Sequence, residues 1–401
     1  MSGPGGTAGG PGIGWRAARH IPVVPRASSP RRALAGAAGA LLLAVGGCNE
    51  DAAGPGGRQA NAIWVRDFAP AARALVVAGG PGAVAIAAGD SLRVLDNAIG
   101  TPLWSAPWRD TLANGTMTGA VLVAPVARGA VVFDRVTGAR LATDTSDAPG
   151  APAIVGTAVV DSIVVLQRAD GQLRAFVART GRALWRGAAQ CGATPCAMPR
   201  LVALRGGVVA TGRLADNSGS YLLSVDALTG SARPTGFPAR TTFVANIAVV
   251  DTSDLVIMNQ SADSLFVMRG ATGERLWGRT LFLQGAAPTL VGDVSPIAIA
   301  GAVLSNNRAG NASVATVHER GDGTPRWRRD AFVAVGACGA RILAADPDGF
   351  RLYEPATGAV YLRLAPFRPA VDTTGTPRRP VTAGDIAVVF TSPRAVRVYA
   401  C

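Results

Sequence analysis

The chain has 401 residues, of which 49% are hydrophobic and only 16% charged, with a formal net charge of +13. All 39 basic residues are arginine, so a phosphate-cradling glycine loop that ends in lysine is excluded. Only two histidines occur, which excludes multi-histidine metal sites and leaves little for histidine-based catalysis.

Residues 1–32 are rich in Gly and Pro and carry five Arg with no acid. Ala33 to Gly47 is an unbroken apolar run of fifteen residues, too short for a lone bilayer-spanning helix and suited to a signal h-region. It ends in Val45-Gly46-Gly47-Cys48, which resembles the lipobox of bacterial lipoproteins, an aliphatic residue and two small ones before the lipidated Cys. The resemblance implies a signal peptide over 1–47 and lipid on Cys48. Removing that leader leaves a net charge of +8. Asn49 to Ala60 is polar and Gly/Pro-rich, and 48–60 reads as a lipidated tether. In the sorting rule known from enteric bacteria, Asp after the Cys retains a lipoprotein on the inner membrane. Asn49 stands there instead, which implies the outer membrane, facing the periplasm, with the cell surface as an alternative.

From residue 61 to 401 the chain is one repeat array. Seven tight-turn glycines recur at Gly100, Gly138, Gly181, Gly230, Gly273, Gly323 and Gly358, spaced 35 to 50 residues apart. Periods of this size point to propellers and solenoids. Each glycine follows a short apolar run such as Leu92-Arg93-Val94-Leu95, which itself follows a turn signal such as Gly89-Asp90 or Asp170-Gly171. Two further Val/Ala/Leu-rich runs lie upstream, so one unit is four short antiparallel strands. Trp stands four residues after the glycine in four units, at Trp104, Trp185, Trp277 and Trp327, and is replaced by Ala142, Pro234 and Leu362 in the others.

The runs Ala178-Arg179-Thr180-Gly181-Arg182-Ala183-Leu184-Trp185 and Ala271-Thr272-Gly273-Glu274-Arg275-Leu276-Trp277 resemble the pyrroloquinoline-quinone (PQQ) type β-propeller repeat. That resemblance implies an all-β propeller in which each Trp fills the gap between neighbouring blades. Strand-like runs at Val381–Ala383, Ile386–Thr391 and Ala395–Ala400 lack a fourth, and Asn61–Arg66, with Trp64, lacks the first three. Joined, they make an eighth four-stranded blade that closes the ring and removes its open edges. Seven blades is the alternative.

Cys191 and Cys196 flank a short Gly/Pro loop and suit a disulfide in an exported protein, as do Cys338 and Cys401 in units expected to be neighbours. His318 lies in an alternating strand pattern and reads as a strand residue with a partner rather than a catalyst. Asp346-Pro347-Asp348-Gly349 reads as a hairpin turn rather than a calcium loop. No catalytic, metal or cofactor site is expected, and the Arg are too scattered for a nucleic-acid interface. PQQ-dependent dehydrogenases share the repeat, but the chain has no Cys-Cys pair and no clear metal-binding set. Lipobox, repeat type and length together resemble the BamB-type lipoprotein of the outer-membrane β-barrel assembly machine. This implies a non-catalytic scaffold whose protein partner is the barrel insertase. A generic binding lipoprotein of the envelope is the alternative.

Overall fold

The computed structural model describes residues 58–401 except 69–73, 111–114, 146–147, 193, 217, 234–239, 242–243, 252, 260–263, 271, 282–288, 291–295, 300, 310–311, 347–348 and 365–379. The chain divides into Met1–Asp51 and Ala52–Cys401, and all described residues belong to the second unit. The expected signal peptide and Cys48 therefore lie outside the described residues.

Among the described residues there is no helix, and the strands form eight sheets. In blade 1 the strands are Leu75–Gly80, Ala83–Ala88, Ser91–Asp96 and Pro102–Pro107, hydrogen-bonded in chain order from the innermost outward. Blades 2, 3, 4 and 5 repeat this meander and begin at Thr116, Ile154, Ala197 and Val244. In blade 6, Thr289–Leu290 and Ile297–Ile299 both pair with Ala302–Ala309, followed by Ala312–Glu319 and the outer strand Pro325–Asp330. Blade 7 runs Val333–Cys338, Arg341–Asp346, Gly349–Tyr353 and Val360–Leu364.

Blade 8 joins the two ends of the array. Val381–Ala383, Ile386–Ser392 and Ala395–Ala400 supply its first three strands, and Trp64–Asp67 adds the fourth, antiparallel, with Trp64 opposite Val398 and Asp67 opposite Ala395. The innermost strands of successive blades touch in turn, and Leu75–Gly80 of blade 1 meets Val381–Ala383 of blade 8, so the circuit is closed.

The core shows why these segments cannot stand alone. Ala83–Ala88 is buried at all six positions, so both faces of the strand are covered. Buried side chains fall into eight apolar clusters, one at each border between adjacent blades. At the 8/1 border, for example, Ile86 and Leu95 pack against Val388, Phe390 and Val396. Each sheet is thus stabilised by its two neighbours, and the apolar area that drives folding is interblade area.

One boundary differs from the sequence reading. Arg58–Ala60, expected as the end of the tether, is a strand that pairs in parallel with Val360–Leu364 and makes blade 7 five-stranded. The segment has no apolar pattern of its own. It is ordered by the backbone groups of an otherwise open edge, which a neighbouring strand satisfies.

Candidate functional site

Because each blade runs as a meander, the turns after its first and third strands lie at one end of the ring. The turn after its second strand and the crossing to the next blade lie at the other. The seven repeat glycines occupy the turn before each outer strand, all with φ between 68° and 74°. Such values strain any residue with a Cβ. In all seven the glycine N–H donates to the carbonyl four residues back, as in Gly100 to Asp96 and Gly358 to Glu354. Three of those turns begin with Asp, and the Asp96, Asp134 and Asp226 carboxylates accept the backbone N–H groups inside the turn.

The glycine and the Trp of the repeat are two halves of one contact, made between different repeats. A Cβ on Gly100, Gly138, Gly230, Gly323 or Gly358 would lie 2.5 to 2.9 Å from the indole of Trp64, Trp104, Trp185, Trp277 or Trp327 respectively. In each case the indole belongs to the preceding blade. Its Nε1–H donates to the carbonyl three residues before that glycine: Asn97, Arg135, Ala227, Arg320 and Pro355, at 2.6 to 2.9 Å. The missing side chain makes room for the ring, and the turn carbonyl satisfies the indole donor. Sequence reasoning missed a third component. Two residues after the Trp, Arg66, Arg279 and Arg329 reach across to the carbonyls of Gly100, Gly323 and Gly358. The pattern Trp-x-Arg was the available signal.

Borders without a Trp use other chemistry. At the 2/3 border Ala142 Cβ lies 3.5 Å from where a Cβ on Gly181 would sit, and Arg174 of blade 3 pairs with Asp144 of blade 2 at 3.0 Å, both nearly buried. Blade 8 has no turn before its outer strand, since that strand comes from the other end of the array. At the 7/8 border Ala60 and Ala62 pack against Leu364 and Tyr399, and Cys338 of blade 7 is bonded to Cys401. The 6/7 border has a further contact beside its Trp327: Asn306 both donates to the Ala334 carbonyl and accepts from its N–H, each at 2.9 Å.

The surface has its own pattern. Every exposed large hydrophobic side chain among the described residues lies on an outer strand, beside one, or in the turn that precedes it. Three successive blades carry Ile63 and Val65 (blade 8), Ile99 and Leu103 (blade 1) and Val136 (blade 2), with Val136 and Ile99 as exposed as 66% and 65%. Because the indoles key each outer strand to the next blade's turn, these residues follow one another around one rim of the ring.

Comparison with known proteins agrees with this architecture. The family model described as outer membrane protein assembly factor BamB matches residues 88–242. No curated protein sequence matches the chain. The crystal structure of BamB from Moraxella catarrhalis superposes with a TM-score of 0.58 at 15% identity, covering 85% of this chain and 99% of that one. The chain is a β-propeller that resembles the PQQ-type repeat proteins and BamB. The computationally designed Ika8 protein (TM-score 0.55, 17% identity, 82% of this chain and 97% of that one) and Sqt1 from Saccharomyces cerevisiae (0.55, 11%, 86% and 99%) share the fold.

Two features of this BamB-like propeller bear on chemistry. Cys191 is bonded to Cys196, with Cα atoms 5.5 Å apart, and Cys338 to Cys401, at 5.4 Å. Among the described residues no group of three His, Cys, Asp or Glu is arranged to hold a metal ion.

His318, the second feature, is buried in blade 6 beside the Trp277 indole. A carbonyl can only accept, so Nδ1 carries the proton and donates to Gly323 at 3.2 Å, which leaves Nε2 to face the Ser305 hydroxyl. Burial holds the imidazole below its ordinary value. The unfolded chain therefore binds a proton more readily than the folded one as pH falls through about 6.5. Stability is full above that pH and declines below it. The melting temperature should drop between pH 7.5 and 5.5, and His318→Gln should remove most of that drop, since the other histidine, His20, lies in the expected leader. An unchanged pH dependence in the variant would assign it elsewhere.

Proposed function

We propose that this chain is a non-catalytic scaffold of the bacterial cell envelope, held by lipid on Cys48 and facing the periplasm from the outer membrane. Its partner is a protein, the β-barrel insertase, and its role is in assembly of outer-membrane proteins. The observation that carries the reading is the apolar rim over blades 8, 1 and 2. Single exposed aliphatics are ordinary, but a run of five on adjacent blades supports a surface for a protein partner. The ring supports it, because the turns and outer strands that carry the rim are joined from blade to blade by the indole contacts. The likeness in fold to BamB supports the assembly role, and the leader and lipobox support the address.

The imidazole of His318 is committed to a turn carbonyl, which supports a structural rather than catalytic role. Cross-linked envelopes provide the test. The wild-type chain should recover the barrel insertase, and the Ile99→Asp/Val136→Asp double variant should lose at least about tenfold of that recovery with little change in melting temperature, since both side chains are exposed. Undiminished recovery would remove the rim from the interface. Absence of the insertase from the wild-type sample would favour a generic envelope-binding lipoprotein. Tight quenching of Trp fluorescence by PQQ with calcium would overturn the scaffold reading altogether.

A further inference from the structure

The outer strand of blade 6, Pro325-Arg326-Trp327-Arg328-Arg329-Asp330, carries three arginines within four residues. Beside it, at the border with blade 7, lies a cleft of about 520 Å³ lined by Arg328, Arg329, Asp330, Phe332, Asp346 and Arg351, with Tyr353. Phe332 and Tyr353 form its apolar wall, both fully buried, with ring centroids 4.8 Å apart. Arg351 pairs with Asp346 at 3.2 Å, the Tyr353 hydroxyl donates to the same carboxylate, and Arg328 pairs with Asp330 at 3.3 Å.

Arg329 differs. Its guanidinium lies over the Tyr353 ring, 5.2 Å from the centroid, and one nitrogen donates to the Gly358 carbonyl at 2.7 Å. Among the described residues no carboxylate pairs with it. The group is therefore held in place by uncharged partners, while a guanidinium has five N–H donors and a geometry that matches a carboxylate. Among the described residues the cleft lining holds three arginines against two aspartates, an excess of one positive charge. That balance favours an anionic ligand that brings a carboxylate to Arg329.

The strand itself suggests the form of the ligand. It is an outer edge, and in blade 7 the same edge is occupied by a parallel added strand, Arg58–Ala60. Arginines on an edge repel a second copy of that edge and attract an acidic one. We propose that the cleft between blades 6 and 7 is a docking site for an extended, acidic segment of a protein partner, with one Asp or Glu carboxylate placed on Arg329. The proposal rests on the scaffold reading and names the chemistry of a partner segment. It concerns a different part of the ring from the apolar rim.

A fluorescently labelled ten-residue peptide alternating Glu and Thr, titrated into the full-length chain, tests this. It should bind, its Lys/Thr counterpart should not, and added salt should weaken it. Arg329→Gln should weaken binding about tenfold, the size of a lost charge-assisted bond. Arg279→Gln is the control. It removes the equivalent bond to Gly323 at the 5/6 border but lies outside the cleft, and it should change affinity less than about twofold. Equal binding of both peptides, an unaffected Arg329→Gln, or equal losses in the two variants would overturn the proposal. Displacement of the peptide by an equal concentration of glutarate would make the ligand a small dicarboxylate, and displacement by anionic phospholipid vesicles would make it a membrane surface. Either result contradicts the assignment. Failure to recover the insertase from envelopes would remove the assembly reading and leave the peptide result standing.

Discussion

A chain that begins at residue 68 should melt about 10 °C or more below one that begins at residue 58, and should aggregate on heating. Two losses add. The Trp64 indole, buried at the 8/1 border with its N–H on the Asn97 carbonyl, is worth about 3–5 kcal/mol as a large buried aromatic. Removing Trp64–Asp67 also strips the partner from Ala395–Ala400 and exposes a new sheet edge, which invites association. A chain that begins at residue 61 loses the short strand on blade 7 and the small Ala60 contact at the 7/8 border, and should melt within a few degrees of the longer one. Differential scanning calorimetry on the three chains reads both effects. Equal melting of the chains beginning at 58 and 68 would mean that the ring does not depend on its first strand.

The second large effect concerns a glycine. Gly230 and Gly181 have nearly the same backbone conformation, φ 71° and 68°. Alanine at either pays the left-handed strain of about 1–2 kcal/mol. At Gly181 the new methyl meets Ala142 Cβ at an ordinary 3.5 Å, so Gly181→Ala should cost little more than that strain. At Gly230 the methyl would lie 2.5 Å from the Trp185 indole, and the ring must leave its seat and its bond to the Ala227 carbonyl. Gly230→Ala should therefore cost about 3–5 kcal/mol, comparable to truncating a buried aromatic. In a Trp185→Ala background the same change should fall back to about 1–2 kcal/mol, because nothing remains to clash. Denaturant titration of this mutant cycle measures the coupling. Additive losses would separate the glycine from the indole.

Much of this was legible in the amino-acid order, and the exceptions have physical causes. Glycine recurrence and apolar runs mark the blades because each blade needs the same left-handed turn and the same doubly buried strands. The closing strand was readable because Trp64 repeats a residue whose place in the unit is fixed. What the spacing could not show is that Trp185 belongs with Gly230 and not with its own Gly181, since the partner lies one blade on. Arg174 with Asp144 was equally hidden: an ion pair that replaces a Trp at one border has no period to announce it. Arg58–Ala60 was read as tether because a three-residue strand held only by its neighbour's backbone needs no apolar pattern. The rim of exposed aliphatics was visible only once the indoles had set which turns stand side by side. The Arg329 cleft depends on Tyr353, twenty-four residues away in the next blade.

The two ends of the array share one sheet in a fixed register, with Val65 opposite Arg397. Cysteines placed at those two positions, followed by mild oxidation and peptide mapping without reductant, test it directly. Facing residues of an antiparallel pair bring their Cβ atoms within disulfide reach. A bond between residues 65 and 397 should form in most of the folded protein, and none when the second cysteine is moved from 397 to 363 on the outer strand of blade 7. Absence of the 65–397 bond, or equal yields from both pairs, would contradict that register.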